Sequence, residues 1–319
     1  MKSQHLKSVI ANFFLYIFIM AIITMCATRS FGQSNKHLQV WRNHLLHKTT
    51  EPTRVPNLIV NKITPSETTS KAAEHYALGN PSNTQNNADS TNNYLIEKPQ
   101  FVCSYNRSKG IPNWVSWHSE RYWLGPIQRQ NYFHADLELP NYIPKTETYY
   151  YTNSGFDKGH LCPSADRTNN LASNYSTFAM TNIIPQAPNV NQHNWADLES
   201  YCRYLLFHGS ELYIIAGQYG IGGIGNNNGI YTKLYNGKVT VPSNIWKVII
   251  ALPNGTNDLN RINQNTQIIA VNIPNQNSVG LIPWQNFKTS IDLIEANTGL
   301  NLLSNLRQSL QDSIESKIY

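Results

Sequence analysis

His160 closes the run Asp157-Lys-Gly-His160, and Asn191 opens the run Asn191-Gln-His-Asn-Trp-Ala-Asp-Leu-Glu199. Together these stretches offer a proton acceptor, an amide oxygen and a carboxylate. Cutting a phosphodiester needs a deprotonated water, neutralisation of charge building on phosphorus, and help for the departing sugar oxygen. A neutral imidazole can take the proton, because its ordinary pKa lies near working pH. A hard cation can stabilise the phosphoryl charge and the leaving oxygen together. Mg²⁺ prefers oxygen ligands and keeps several waters, so one or two protein oxygens are enough to hold it. Asn191 supplies a neutral oxygen and leaves the metal's charge for the substrate. Glu199 follows eight residues later, about two helical turns, so both side chains can face one side of a helix.

Those residues need a helix and strands to hold them. Helical periodicity marks Gln192–Phe207, Ser290–Asn297 and Leu302–Ile314, and Thr298-Gly299 is a usual stop for the second. Runs rich in β-branched and aromatic residues mark strands at Trp114–His118, Glu211–Gly217, Ile245–Leu252 and Gln267–Ile273. Strands and helices are not in regular alternation, so the expected class is α+β with a largely antiparallel sheet flanked by helices. Trp195 and Leu198 read as core. Asp157 reads as a turn-forming side chain before Gly159.

The stretch Gly155-Phe-Asp-Lys-Gly-His-Leu-Cys-Pro-Ser-Ala-Asp-Arg167 resembles the signature of the DNA/RNA non-specific endonucleases, the ββα-metal or His-Me finger nucleases. The likeness continues through Met180–Glu199, Val241–Ile249 and Thr289–Gly299, so it covers roughly residues 93–319. It implies a ββα-metal fold with His160 as general base, Asn191 as direct Mg²⁺ ligand and Glu199 as a partner of the metal's water. Arg129, in Gln-Arg-Gln-Asn-Tyr-Phe, falls where the family places a phosphate-binding arginine. The family usually writes the first motif Asp-Arg-Gly-His, and this chain has Lys158. Lysine is a point charge where arginine is a bidentate fork, so Lys158 is a weaker candidate phosphate contact. The implied activity is an Mg²⁺-dependent endonuclease, with Mn²⁺ as substitute, that cuts DNA and RNA with little sequence preference and leaves 5′-phosphate ends. The alternative is a catalytically weak protein that captures nucleic acid at the cell surface. No protein partner is implied.

A glycine-rich decoy lies downstream. Gly220-Ile-Gly-Gly-Ile-Gly225 satisfies a dinucleotide-binding pattern, but Asn226-Asn-Asn-Gly229 follows where a helix should open, and residues 238–250 hold no acid. It reads as a loop. The net charge of +6 and pI near 9.0 suit a polyanionic substrate, and no long Lys/Arg run forms a basic tail.

The ends of the chain read differently from its middle. Lys2 and Lys7 precede an uncharged apolar segment, Val9–Ala27, and Ser30 and Gly32 suit a cut before Gln33. Residues 1–32 are therefore expected to be a signal peptide for export, periplasmic or secreted. The apolar run is also near membrane-spanning length, so the alternative is an uncleaved anchor with membrane association. Residues 33–92 read as a polar linker, with a short helix around Ser70–Leu78 and an Asn/Ser/Thr-rich stretch at Asn80–Asn93. Residues 93–319 form the nuclease domain. Export would retain Cys103, Cys162 and Cys202, an odd number that allows at most one disulfide. A thiol nucleophile near His160 is conceivable from the proximity of Cys162, and no paired-cysteine spacing points to zinc.

Overall fold

The apolar runs at Glu211–Gly217 and Ile245–Leu252 lie in central strands of a six-stranded antiparallel sheet, in a computed structural model that describes residues 71–318. Its strands are β1 (Tyr94–Glu97), β2 (Val102–Asn106), β3 (Ile111–Ser119), β6 (Ser210–Tyr219), β9 (Asn244–Pro253) and β10 (Gln267–Pro274), in the order β1-β2-β3-β6-β9-β10. Two short hairpins stand apart from it: β4 (Asp157–His160) with β5 (Ile183–Gln186), and β7 (Lys233–Leu234) with β8 (Val239–Thr240). Past the helical residues 71–75, the described residues form helices α1 (Leu171–Ser176), α2 (Ala196–Phe207), α3 (Asp258–Arg261), α4 (Ile291–Thr298) and α5 (Gln308–Ile314).

β6 and β9 are buried along almost their whole length, so both faces of the sheet are covered. Successive side chains of a strand point to opposite faces, and the cores divide accordingly. Ile214, Ala216, Ile249 and Val271 pack with Leu161, Trp195, Leu198 and Cys202 on one face. Tyr213, Ile215, Trp246, Val248 and Ala270 pack with Ile291, Ile294, Leu302, Leu303 and Ile314 on the other. The two faces therefore have separate occupants: the hairpin β4–β5 with α2, and the C-terminal helices.

Two expectations are corrected here. The linker expected over 33–92 has already ended by residue 71: residues 71–75 are helical, within the expected short helix, and Ala72 and Leu78 are buried in the second core. The Asn/Ser/Thr-rich stretch is ordered by hydrogen bonds and not by apolar burial. Asn93 is its hub: Oδ1 accepts from Ser82 Oγ at 2.7 Å and Ser104 Oγ at 2.7 Å, while Nδ2 donates to Ser82 O at 2.8 Å. Thr84 Oγ1 donates to Asn93 O at 2.6 Å, and Trp114 Nε1 to Ser82 Oγ at 2.8 Å. The helix expected over Leu302–Ile314 begins only at Gln308. Leu302 and Leu303 are fully buried in an irregular segment, and Leu302 N–H is claimed by Glu295 Oε1 at 2.6 Å. The stop at Gly299 is as expected, with φ +72°, a left-handed cap that glycine adopts freely.

The signal or anchor segment 1–32 and the linker up to residue 70 lie outside the described residues. Among the described residues no helix is long and apolar enough to cross a membrane. The glycine-rich decoy is a loop: Gly223 bridges Tyr231, and no helix follows.

Candidate active site

The hairpin β4–β5 and the helix that follows it make a ββα unit. β4 pairs with β5 in the register Asp157↔Gln186 through His160↔Ile183. A Cβ on Gly159 would collide with the side chain of Gln186, two residues along β5 from its register partner Ile184, which explains glycine next to the histidine. Beyond His160 the pairing is continued by a side chain: Asn182 Oδ1 accepts from Cys162 N at 2.9 Å and its Nδ2 donates to Cys162 O at 2.8 Å.

His160 is 6% exposed. Its ring lies 5.3 Å from that of Phe133 and 4.9 Å, edge-on, from that of Phe178. Its Nε2 is buried with no hydrogen-bond partner. Burial disfavours imidazolium, and the Arg129 charge adds to that, so the pKa is held well below 6.5. The ring is neutral at pH 7, with a nitrogen free of protein partners. Trp195, fully buried, donates from Nε1 to His160 O at 3.4 Å, which ties the strand to the helix.

Asn191 precedes α2, in a π-helical turn over Val190–Trp195. Its Nδ2 donates to Asp157 Oδ2 at 2.8 Å, as does Gln192 Nε2 at 2.8 Å. A carboxylate only accepts, so the amide must present its nitrogen to Asp157 and its carbonyl oxygen elsewhere. Asp157 is thus a strand residue that orients Asn191, not the turn residue expected.

Glu199 is on the first turn of α2, with 14% of its side chain exposed, and Lys247 Nζ on β9 lies 3.8 Å from Oε1. Lys247 is buried and sits 4.1 Å over the Trp195 ring. Burial outweighs the pull of Lys247 and Arg203 and raises the Glu199 pKa. Arg129, outside any helix or strand, donates to Ser164 Oγ at 3.0 Å and to Asn131 Oδ1 at 2.6 Å, with its guanidinium 5.0 Å over Phe178. It acts electrostatically on both His160 and Glu199. Lys158 is half-buried and reaches over the ring of Phe133, 5.1 Å away. The expected residues therefore converge: Arg129 and Lys158 touch the two phenylalanines that hold His160, and Asn191 is bonded to the strand carrying His160.

The sequence reading missed Asp157 as tether, Phe133 and Phe178 as walls, and Lys247 as counter-charge. Only Asp157 carried a local signal, being part of the motif itself. Another part of the motif is scaffold. Arg167 is fully buried and donates to the carbonyls of Gln100, Asp166 and His118 at 2.8 to 2.9 Å. Cys103, Cys162 and Cys202 are free and buried, and burial pushes the Cys162 and Cys202 thiols up to about 12. Burial thus works against a thiolate nucleophile, the reactive form. A second cluster, His118, Glu211 and Asp258, is already closed by a cation: Arg261 pairs with both carboxylates.

A ββα unit with a buried neutral histidine on its strand and an oriented asparagine entering its helix defines a metal-site nuclease finger. Residues 78–309 match the DNA/RNA non-specific endonuclease family, and the chain belongs to that family. It is 43% identical over 244 residues to a nuclease of Nostoc sp., covering 76% of this chain and 85% of that one. It is 31% identical over 220 residues to nuclease C1 of Cunninghamella echinulata var. echinulata, covering 66% of this chain and 83% of the relative. The fold superposes on a chain of the crystal structure of an EndoG/EndoGI complex with a TM-score of 0.62, at 20% identity, over 78% of this chain and 97% of that one.

Proposed function

We propose that this nuclease is an exported, Mg²⁺-dependent enzyme that cuts DNA and RNA internally, leaving 5′-phosphate and 3′-hydroxyl ends. The observation that carries the reading is the buried, neutral ring of His160, on the strand whose Asp157 occupies the nitrogen of the Asn191 amide. His160 takes a proton from the water that attacks phosphorus. The Asn191 carbonyl oxygen suits a hard cation, and the neighbouring donors are oxygens, since the thiols stay protonated. When bound there, Mg²⁺ supplies Lewis-acid stabilisation of the phosphoryl charge and of the leaving 3′ oxygen. Glu199 orders water around the ion, Asp157 keeps the Asn191 oxygen turned outward, and Arg129 with Lys158 holds the phosphate electrostatically. These contacts go to the backbone, which carries no sequence information directly, so little base preference follows.

The test is digestion of supercoiled plasmid and of RNA by the purified protein, with Mg²⁺ and with EDTA. Both polymers should be cut only with the metal, and the DNA fragments should ligate without prior phosphorylation. Cutting that persists in EDTA, or fragments that need a kinase before ligation, would overturn the mechanism. Export is tested separately, by N-terminal sequencing of protein from the medium or periplasm, which should begin at Gln33.

A further inference from the structure

Two acidic pairs of equal spacing, Asp292-Leu-Ile-Glu295 and Asp312-Ser-Ile-Glu315, occur on α4 and at the end of α5. Both helices pack through Ile291, Ile294 and Ile314 into the second core, on the sheet face away from the ββα unit. They meet where the Asp292 N–H donates to the Glu315 carbonyl at 3.1 Å. That docking places carboxylate oxygens of Asp292, Glu295 and Glu315 within 4.8 Å of one another. Acidic clusters at a surface are usually only solvated, and spacing alone would decide nothing. Glu315 is the exception: the residue is 5% exposed, and its Oε1 is buried with no hydrogen-bond partner. A buried carboxylate oxygen with neither donor nor counter-charge is costly. Burial, then Glu295, Asp292 and Asp312, push its pKa up to about 7. Every charge acting on it has its own sign.

We propose that Asp292, Glu295 and Glu315 form a Ca²⁺ site that staples α4 to the end of α5. The ligand set is all hard oxygen. Two oxygens bound to one Ca²⁺ lie at most about 4.6–5.2 Å apart, and three carboxylates completed by waters suit its flexible six- to eight-fold coordination, whereas Mg²⁺ is usually held by one or two carboxylates. The three carboxylates fall within the Ca²⁺ span. Glu295 is held in place by the Leu302 N–H on Oε1. Asp292 is exposed, which gives the ion an entry and room for waters to complete its coordination. None of these residues belongs to the nuclease site, so the inference stands apart from the catalytic mechanism.

The experiment is thermal unfolding of EDTA-stripped, dialysed protein with Ca²⁺ titrated over about 0.01–10 mM, the range for partly open sites. It is done in an Asn191→Ala background, which removes the ion-binding amide of the nuclease site. Ca²⁺ should raise Tm by roughly 2–5 °C and saturate, with a smaller effect from equal Mg²⁺. Glu315→Gln should raise the metal-free Tm, by removing repulsion, and abolish the Ca²⁺ increment. Asp292→Asn, at an exposed position that the fold tolerates, should weaken the Ca²⁺ response about tenfold. No Ca²⁺-dependent rise in the parent would overturn the proposal, as would an undiminished rise in Asp292→Asn. The remaining outcome is a cluster that binds only a proton. The folded pKa of Glu315 is above the unfolded 4.5, so its stabilisation is complete below 4.5 and lost as pH rises through about 7. A metal-free Tm gap between Glu315→Gln and the parent that widens as pH rises over that window, with no response to Ca²⁺, would also overturn the site.

Discussion

At the scale of single residues, His160 combines two properties that usually conflict: deep burial and an unsatisfied nitrogen. His160→Ala should lower cleavage at least about a hundredfold, since a positioned base typically contributes 10²–10⁴-fold. Circular dichroism and DNA binding should be retained, and near-parent turnover would remove His160 from the mechanism. The pH profile follows from the direction of the shift. With His160 acting as the proposed base, protonation would remove it, and its folded pKa lies below 6.5, so kcat/KM should hold through pH 6.5 and fall only below it. A half-maximum above pH 6.5 would contradict the buried geometry. Asp157→Ala should cost about 10–100-fold and raise the Mg²⁺ requirement, as partners that orient a ligand typically do. A Mg²⁺ titration identical to the parent's would show that the tether is idle. The motif made His160, Asn191 and Glu199 legible, because ordered neighbours and spacing identify them. Phe133 and Phe178 were not legible: they reach His160 from 27 residues before and 18 after it, and nothing local marks the meeting.

At the scale of elements, the helix carrying Asn191 and Glu199 is not uniform. In an unbroken α-helix, positions eight apart are about 80° out of line. The π-turn over Val190–Trp195 turns through less angle per residue, which removes most of that offset. The sequence placed both side chains on one face of a helix, but the π-turn that aligns them had no signature in it. Deleting His193 should convert the turn to α-helix and swing Asn191 by roughly 100°. Cleavage should then drop at least tenfold while far-UV helicity is unchanged, and full activity in the deletion would show that the π-turn does not aim the ligand. The central strands were legible as long apolar runs. β4 and β5 were not, because four-residue strands containing Asp157, Lys158, Gly159 or Pro185 carry no strand pattern. Their pairing is set by the fold around them.

At the scale of the whole molecule, three buried histidines are held neutral. His75 accepts the His118 N–H on Nδ1 at 3.2 Å and donates from Nε2 to Pro99 O at 2.8 Å, a pattern that the doubly protonated ring cannot make. The pKa values of His75, His118 and His160 are all lowered, chiefly by burial. Each folded pKa is below the unfolded 6.5, so the unfolded chain binds the proton first. Their stabilisation is complete above 6.5 and is lost as pH falls toward the folded values, by up to about 1.4 kcal/mol per histidine per pH unit. Tm should therefore fall between pH 7.5 and 5.5, and fall less in His75→Gln. An equal slope in that variant would assign the acid sensitivity to other groups.

The segment first taken for a linker has a practical consequence. Residues 71–78 and the C-terminal helices share the second core, and Asn305 bonds to both Ala77 O and Leu78 O at 2.9 Å. The start of the described residues, at 71, and the end of α5 therefore lie on the side of the sheet opposite His160. Coupling the protein to a bead or carrier at surface positions beside residue 71 or after α5 would leave the face carrying His160 turned outward, free to meet a long polymer.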